Sequence, residues 1–247
     1  MINTKKAPLD DVKVRQAVSY AFPYQEVIDE VYHGDALQMR GVIPHGMWGH
    51  GDEIHQYEHN LTKAEELLAE SSYSDTIGEY EILAIYVSGN EVEEKSLLLW
   101  QSELDKIGID LTVRGMTTPS MFDMARDTNP ENRQHVYMLY WWPDVCSPAS
   151  WLANMFYSYD TVVFQFSYYN NSEVDDLIDE GQRLAGIDKD DAERKYIDAQ
   201  EIIVNDATAI FLADEMYIRA IRSELGGFVD NPAYPHVVWW YDCYLEE

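Results

Sequence analysis

Positive charge, cysteine and long apolar runs are all scarce in this sequence, and each shortage excludes something. Of 247 residues only 17 are Lys or Arg, against 45 Asp or Glu, for a formal net charge of −28. Nucleic acid and anionic lipid attract basic surfaces, so neither is expected as a partner. The acids are spread along the chain rather than gathered in a tail. Such a surface is expected where salt screens its self-repulsion, and it predicts a salt-adapted protein. Two cysteines, Cys146 and Cys243, make neither a disulfide framework nor a zinc site and leave room for one bridge at most. No run of about 18 apolar residues exists, so no transmembrane helix is predicted. The opening MINTKKAPLDD has two lysines with no apolar stretch after them and does not read as a secretory signal.

What is present argues for a folded body. The chain is 46% hydrophobic with 18 tyrosines, and disorder would need few aromatics beside this much charge. Its length allows one large domain or one domain plus a smaller part.

Val14, Ala17, Val18 and Ala21 recur at helical spacing, and Pro23 then sits at a first-turn position before a second short helix ended by His33 and Gly34. Residues 34–60, rich in Gly, His and Pro, read as a long excursion before Asn60 caps LTKAEELLAESS. EYEILAIYVSG reads as a strand, EVEEKSLLLWQSELDKIG as a helix closed by glycine and IDLTVRG as a second strand. That order makes a βαβ unit with parallel strands under helices. A helix after Pro119 and a buried strand over HVYMLYWW follow, then a helix from Pro148, a Tyr- and Asn-rich loop at 157–171 and two long helices. ATAIFLADEMYIRAIRS and HVVWWYDCYL are expected to finish the chain as strands. The prediction is one α/β body with a distinct tail.

Three further patterns invite chemistry. HGMWGHGDEIHQYEH gathers His45, His50, His55 and His59 beside Asp52 and Glu53, but the spacings match no zinc motif and a solvated loop is the simpler reading. The runs EVDDLIDE and DKDDAE lie on helices whose opposite face carries Leu177, Ile178 and Leu184, so they are solvated faces rather than paired catalytic acids. No nucleophile elbow, phosphate loop or dinucleotide fingerprint occurs, GGF at 226–228 is a turn, and no residue pattern asks for a catalytic role, a metal or a cofactor.

The order of these elements carries specific wording. PLDDVKVRQAVSYAFPYQEVIDEVYHGDALQMRGVIPHGM resembles the passage that opens the third domain of the dipeptide- and oligopeptide-binding proteins of ABC transporters. This is solute-binding family 5, which also includes nickel and some oligosaccharide binders. HNLTKAEELLAESSY, QSELDKIGIDLTV, YYNNSEVDDLIDEG, RKYIDAQEIIVNDATAIFLAD and LGGFVDNPAYP continue the resemblance, in order, over the whole chain. It implies the second lobe of a two-lobed, periplasmic-binding-protein-like clamshell over residues 1–215, and strands returning to the first lobe over 216–247. The N-terminal half would come from the same or a separate chain. An extracytoplasmic peptide receptor working with an ABC permease, without catalysis, is the implied function. An oligosaccharide ligand and a standalone interaction domain are the alternatives.

The segment LYWWPDVCSPASWL resembles the family's Trp-x-x-Asp-x-x-Asp-Pro. Trp141 matches the tryptophan, Asp144 the first acid and Pro148 the proline, while Ser147 stands where a second acid is common. By resemblance Asp144 receives a peptide's α-ammonium, a charge-assisted contact, while Trp141, Trp142 and Trp151 supply apolar walls. The alternatives are that the tryptophans are ordinary core and Asp144 a helix cap. Ser147 leaves sugars open, since they stack on indole rings. The second aromatic patch, VVWWYDCYL, is expected to be exposed and association-prone without the first lobe.

Overall fold

The computed structural model describes residues 1–142, 145–231 and 237–246. Helix α1 (Val12–Tyr20) starts at Asp11, whose carboxylate accepts the Lys13 N–H. After Pro23, α2 (Tyr24–Glu26) runs into a π-helical turn over Val27–Val31, and positive φ at His33 and Gly34 ends it. The excursion holds one short strand, β1 (Ala36–Gln38), and Asn60 caps α3 (Leu61–Ala69) through the Lys63 N–H. Strand β2 (Glu81–Val87), helix α4 (Glu91–Lys106) and strand β3 (Asp110–Met116) form the expected parallel unit, with Ile85 in register with Arg114. Helix α5 (Thr118–Ala125) leads to β4 (Val136–Tyr137), which pairs parallel with the other side of β2. Helices α6 (Pro148–Phe156), α7 (Ser172–Leu184) and α8 (Lys189–Asn205) follow, then β5 (Ala213–Glu215), which pairs antiparallel with β1.

Strand β2 is apolar nearly throughout because the β3-β2-β4 sheet is covered on both faces. Ile82, Ala84 and Tyr86 join the main core with Leu97, Trp100 and Leu104 of α4. Ile85 points the other way, into a second cluster with Met121 and Ala125 of α5, Tyr137 and Phe166. The rings of Tyr137 and Phe166 stack there at 4.3 Å.

The Arg-Gln pair of α1 ties the two ends of the chain's order together. Arg15, 6% exposed, donates from Nε to Asp206 O at 2.9 Å and from a terminal nitrogen to Leu9 O at 2.9 Å, while Gln16 donates to Asn205 O at 2.8 Å. A cation is thus placed on the carbonyls at the C-terminal end of α8, where the helix dipole favours it.

Two strand expectations are corrected. The strand expected over HVYMLYWW is two residues long, and Met138 to Tyr140 are half-buried rather than core. The strand expected over ATAIFLADEMYIRAIRS contracts to Ala213–Glu215, where β1 supplies a ladder. In the last segment a 3-10 turn occupies Trp240–Asp242, and among the described residues only Tyr244–Leu245 (β7) pairs, antiparallel to Leu225–Gly226 (β6). A strand is held by hydrogen bonds to a neighbour, so apolar and aromatic character without a partner is not enough. The turn at 226–228 is as expected: Gly227 has φ 73°, and a Cβ there would lie 1.9 Å from Asp242 O. Cys146 and Cys243 are both free thiols.

Candidate functional site

Parallel strands place their carboxyl ends at one edge, which is where α/β sheets usually bind ligands. At the end of β2 the chain turns through Gly89, with φ 90°, and Asn90 caps α4 by accepting the Val92 and Glu93 N–H groups at 3.2 Å each. Beyond β4 the chain crosses the same edge from Met138 to Trp142. Facing this edge are α6, the loop around residues 39–45 and β5, and between them lies a cleft of about 800 Å3.

The tryptophans occupy distinct places in it. Trp141 is half-buried and pinned: its indole N–H donates to Ser150 O at 3.2 Å, and its ring meets Phe164 edge-on at 5.0 Å. Trp142 is 62% exposed. Trp151, on the first turn of α6, is 8% exposed and part of the core while also lining the cleft, and among the described residues its indole N–H has no hydrogen-bond partner. The cleft-wall and core readings of Trp151 therefore both hold, since one face of a large ring serves each. Ser147 is the N-cap residue of α6, makes no side-chain cap bond and is not among the residues lining the cleft. Asp144 lies outside the described residues.

Several lining residues were not among the expected ligand-binding residues. Met39, Val42 and His45 come from the excursion, and Phe211, Asp214, Glu215 and Tyr217 from β5 and its flanks. The excursion is held by Gln200 of α8, fully buried, which accepts the Ile43 N–H at 2.8 Å and donates to Gly49 O at 2.7 Å. Gly49, φ 86°, passes so close to Pro148 that a Cβ would sit 2.7 Å from its Cγ. The start of α6 and the excursion are thus locked together.

The four loop histidines are split between two places. His45 donates its backbone N–H to Asp214 Oδ2 at 2.9 Å, and its Nδ1 lies 2.7 Å from the same oxygen. His50, whose Nδ1 lies 2.8 Å from Ile43 O, packs its ring 4.4 Å from that of His45. His55 and His59 turn instead toward Tyr20 and Glu103. Among the described residues no three metal-ligating side chains converge.

Beneath the cleft, the hydroxyls of Tyr32 and Tyr140 hydrogen-bond to each other at 2.9 Å. Burial, the Tyr32 hydroxyl and the nearby carboxylates of Glu215 and Glu93 all hold the Tyr140 phenol well above its ordinary range. Glu93, 2% exposed, is raised by burial, against which the Val87 N–H at 2.7 Å stabilises its charge. The arrangement is an aromatic-walled cleft with acidic groups at its edge, suited to holding an organic solute.

Comparison with known proteins agrees in kind. The family described as bacterial extracellular solute-binding proteins, family 5 Middle, matches residues 1–162. The chain is 32% identical over 234 residues to a probable D,D-dipeptide-binding periplasmic protein of Escherichia coli K12, covering 94% of this chain and 43% of that protein. It is 29% identical to heme-binding protein A of Haemophilus influenzae, covering 93% and 41%. The chain therefore spans less than half the length of these relatives. Among solved structures, a periplasmic binding protein DppA of Helicobacter pylori in complex with the peptide STSA superposes with a TM-score of 0.80 at 23% identity, covering all of this chain and 46% of that one. HbpA2 of Haemophilus parasuis superposes with a TM-score of 0.84 at 22% identity, covering all of this chain and 47% of that one.

Proposed function

The chain belongs to the family 5 bacterial extracellular solute-binding proteins, and from that premise we propose that it is the C-terminal portion of an extracytoplasmic receptor that captures a short peptide and presents it to an ABC permease. The observation that carries this reading is the cleft at the carboxyl edge of the sheet, walled by Trp141, Trp142 and Trp151. In the complete receptor an N-terminal half closes over that cleft, and residues 216–247 return to complete its lobe. The ligand stabilises the closed form by the contacts it makes only there. Extended peptides gain affinity from burial of apolar surface and from main-chain hydrogen bonds, so such a site tolerates varied side chains. Asp144 takes the peptide's α-ammonium. The protein binds without turning its ligand over.

The exposed indole of Trp142 and Ser147 in place of a second acid favour one other reading, an oligosaccharide stacked on the tryptophans. A thermal-shift screen of the complete receptor with short peptides and oligosaccharides in high salt separates the two. Peptides are expected to raise the unfolding temperature and sugars to leave it unchanged. Asp144→Asn is expected to weaken peptide binding by roughly 10-fold or more, as loss of a charge-assisted hydrogen bond does; unchanged peptide affinity would remove the ammonium role.

A further inference from the structure

The described lining of the cleft contains no lysine and no arginine; its fixed charges are the carboxylates of Asp214 and Glu215. The two are not equivalent. Asp214 is engaged by His45 through both the backbone N–H and the ring. Glu215 is exposed, and its backbone is fixed at the end of the β1–β5 ladder, opposite Ala36, with the next N–H donating to Asp35 O at 2.8 Å. Its carboxylate is therefore presented from a set position rather than from a loose loop. The nearest cation in sequence, Arg219, stacks over the rings of Tyr217 and Phe228 and lies 3.4 Å from Asp230, so it is committed elsewhere.

The same cleft is walled by flat π-faces, those of Trp141, Trp142 and Trp151. A ring face attracts a cation through its quadrupole, most strongly where water is displaced. Trp151, at the wall of this cleft, keeps its indole N–H buried and without an acceptor among the described residues. Carboxylate and aromatic wall together describe a place for a cationic group of a bound peptide.

We propose that Glu215 is a specificity-determining residue that makes this part of the cleft a subsite for a basic side chain of the bound peptide, arginine above lysine. The guanidinium is favoured because it is planar, stacks on aromatic faces and pairs with a carboxylate through a fork of donors, whereas an ammonium is a compact and strongly hydrated point charge. This rests on the peptide-receptor reading and deepens it: the ligand carries positive charge beyond its α-ammonium.

The test is calorimetric titration of the complete receptor with peptides of two to five residues, each carrying arginine or its neutral isostere citrulline at one position in turn. At one position arginine is expected to bind roughly tenfold tighter than citrulline, as one partly desolvated charge contact provides, with the gap narrowing as salt rises. Glu215→Gln is expected to erase that gap, and Glu215→Asp to leave part of it; the unfolding temperature of each variant checks that it is folded. Peptides that bind with no position preferring arginine would overturn the subsite while leaving the peptide receptor intact. A preference that survives Glu215→Gln would overturn the role of this residue. Failure of every peptide to bind would overturn the receptor reading and the subsite together.

Discussion

His135 shows how a single buried group ties stability to pH. It is 9% exposed, and its Nδ1 accepts the Leu83 N–H at 3.1 Å, which requires a lone pair on that nitrogen. Burial, helped by the Lys6 charge, lowers its pKa to about 4. In the unfolded chain the ring titrates near the ordinary value of about 6.5, so the unfolded state binds more protons between the two values. The contribution is complete above about pH 6.5 and is lost as pH falls toward 4, at up to about 1.4 kcal/mol per pH unit. Urea unfolding from pH 7.5 to 5 is expected to show this slope, and His135→Gln, which keeps an acceptor without a titrating ring, is expected to flatten it. Identical slopes would refute the assignment. Residue identities were read unevenly from the sequence. Trp141, Trp142 and Trp151 stood out because tryptophans are rare and clustered, and all three line the cleft. Met39, Val42 and Glu215 did not, since nothing in their local sequence distinguishes a cleft residue from any other surface or loop residue.

At the scale of elements, Gln200 carries an unusual share. One side chain on α8 satisfies both the Ile43 N–H and the Gly49 carbonyl, and so fixes the excursion whose other residues line the cleft. Gln200→Leu keeps the helix and strands both partners; at about 1–3 kcal/mol for each buried group left unpaired, a loss of roughly 2 kcal/mol or more is expected in urea unfolding. Peptide affinity should fall with it, because Val42 and His45 lose their support. Helices were legible because their signals are local: Asn60, Asn90 and Asn171 cap helices through side chains two or three residues away from the groups they satisfy. The final strands were not. Residues 216–224 have strand-like composition, yet among the described residues their ladder stops at Glu215, opposite Ala36, the first residue of β1. Partner availability, not composition, set that limit.

Across the whole molecule, charge and exposed aromatic surface dominate. With a formal charge of −28, self-repulsion opposes folding in dilute buffer and weakens as salt shortens the screening length from about 10 Å at 0.1 M to about 3 Å at 1 M. The unfolding temperature is expected to rise steadily with sodium chloride over this range, and full stability in dilute buffer would contradict the salt-adapted reading. Trp239, Trp240, Tyr241 and Leu245 are each more than 60% exposed, forming a far more apolar surface than the charged helices elsewhere. The sequence by itself determined the βαβ unit, the helices and the family, because periodicity, caps and motif order are properties of neighbouring residues. Only the tertiary structure decided that residues 39–45, 90–92, 139–142, 151–156 and 209–217 contribute to one cleft, and that its described walls carry carboxylates with no lysine or arginine. Those contacts join positions more than a hundred residues apart, and their geometry is fixed by how the sheet and helices pack rather than by any pattern along the chain.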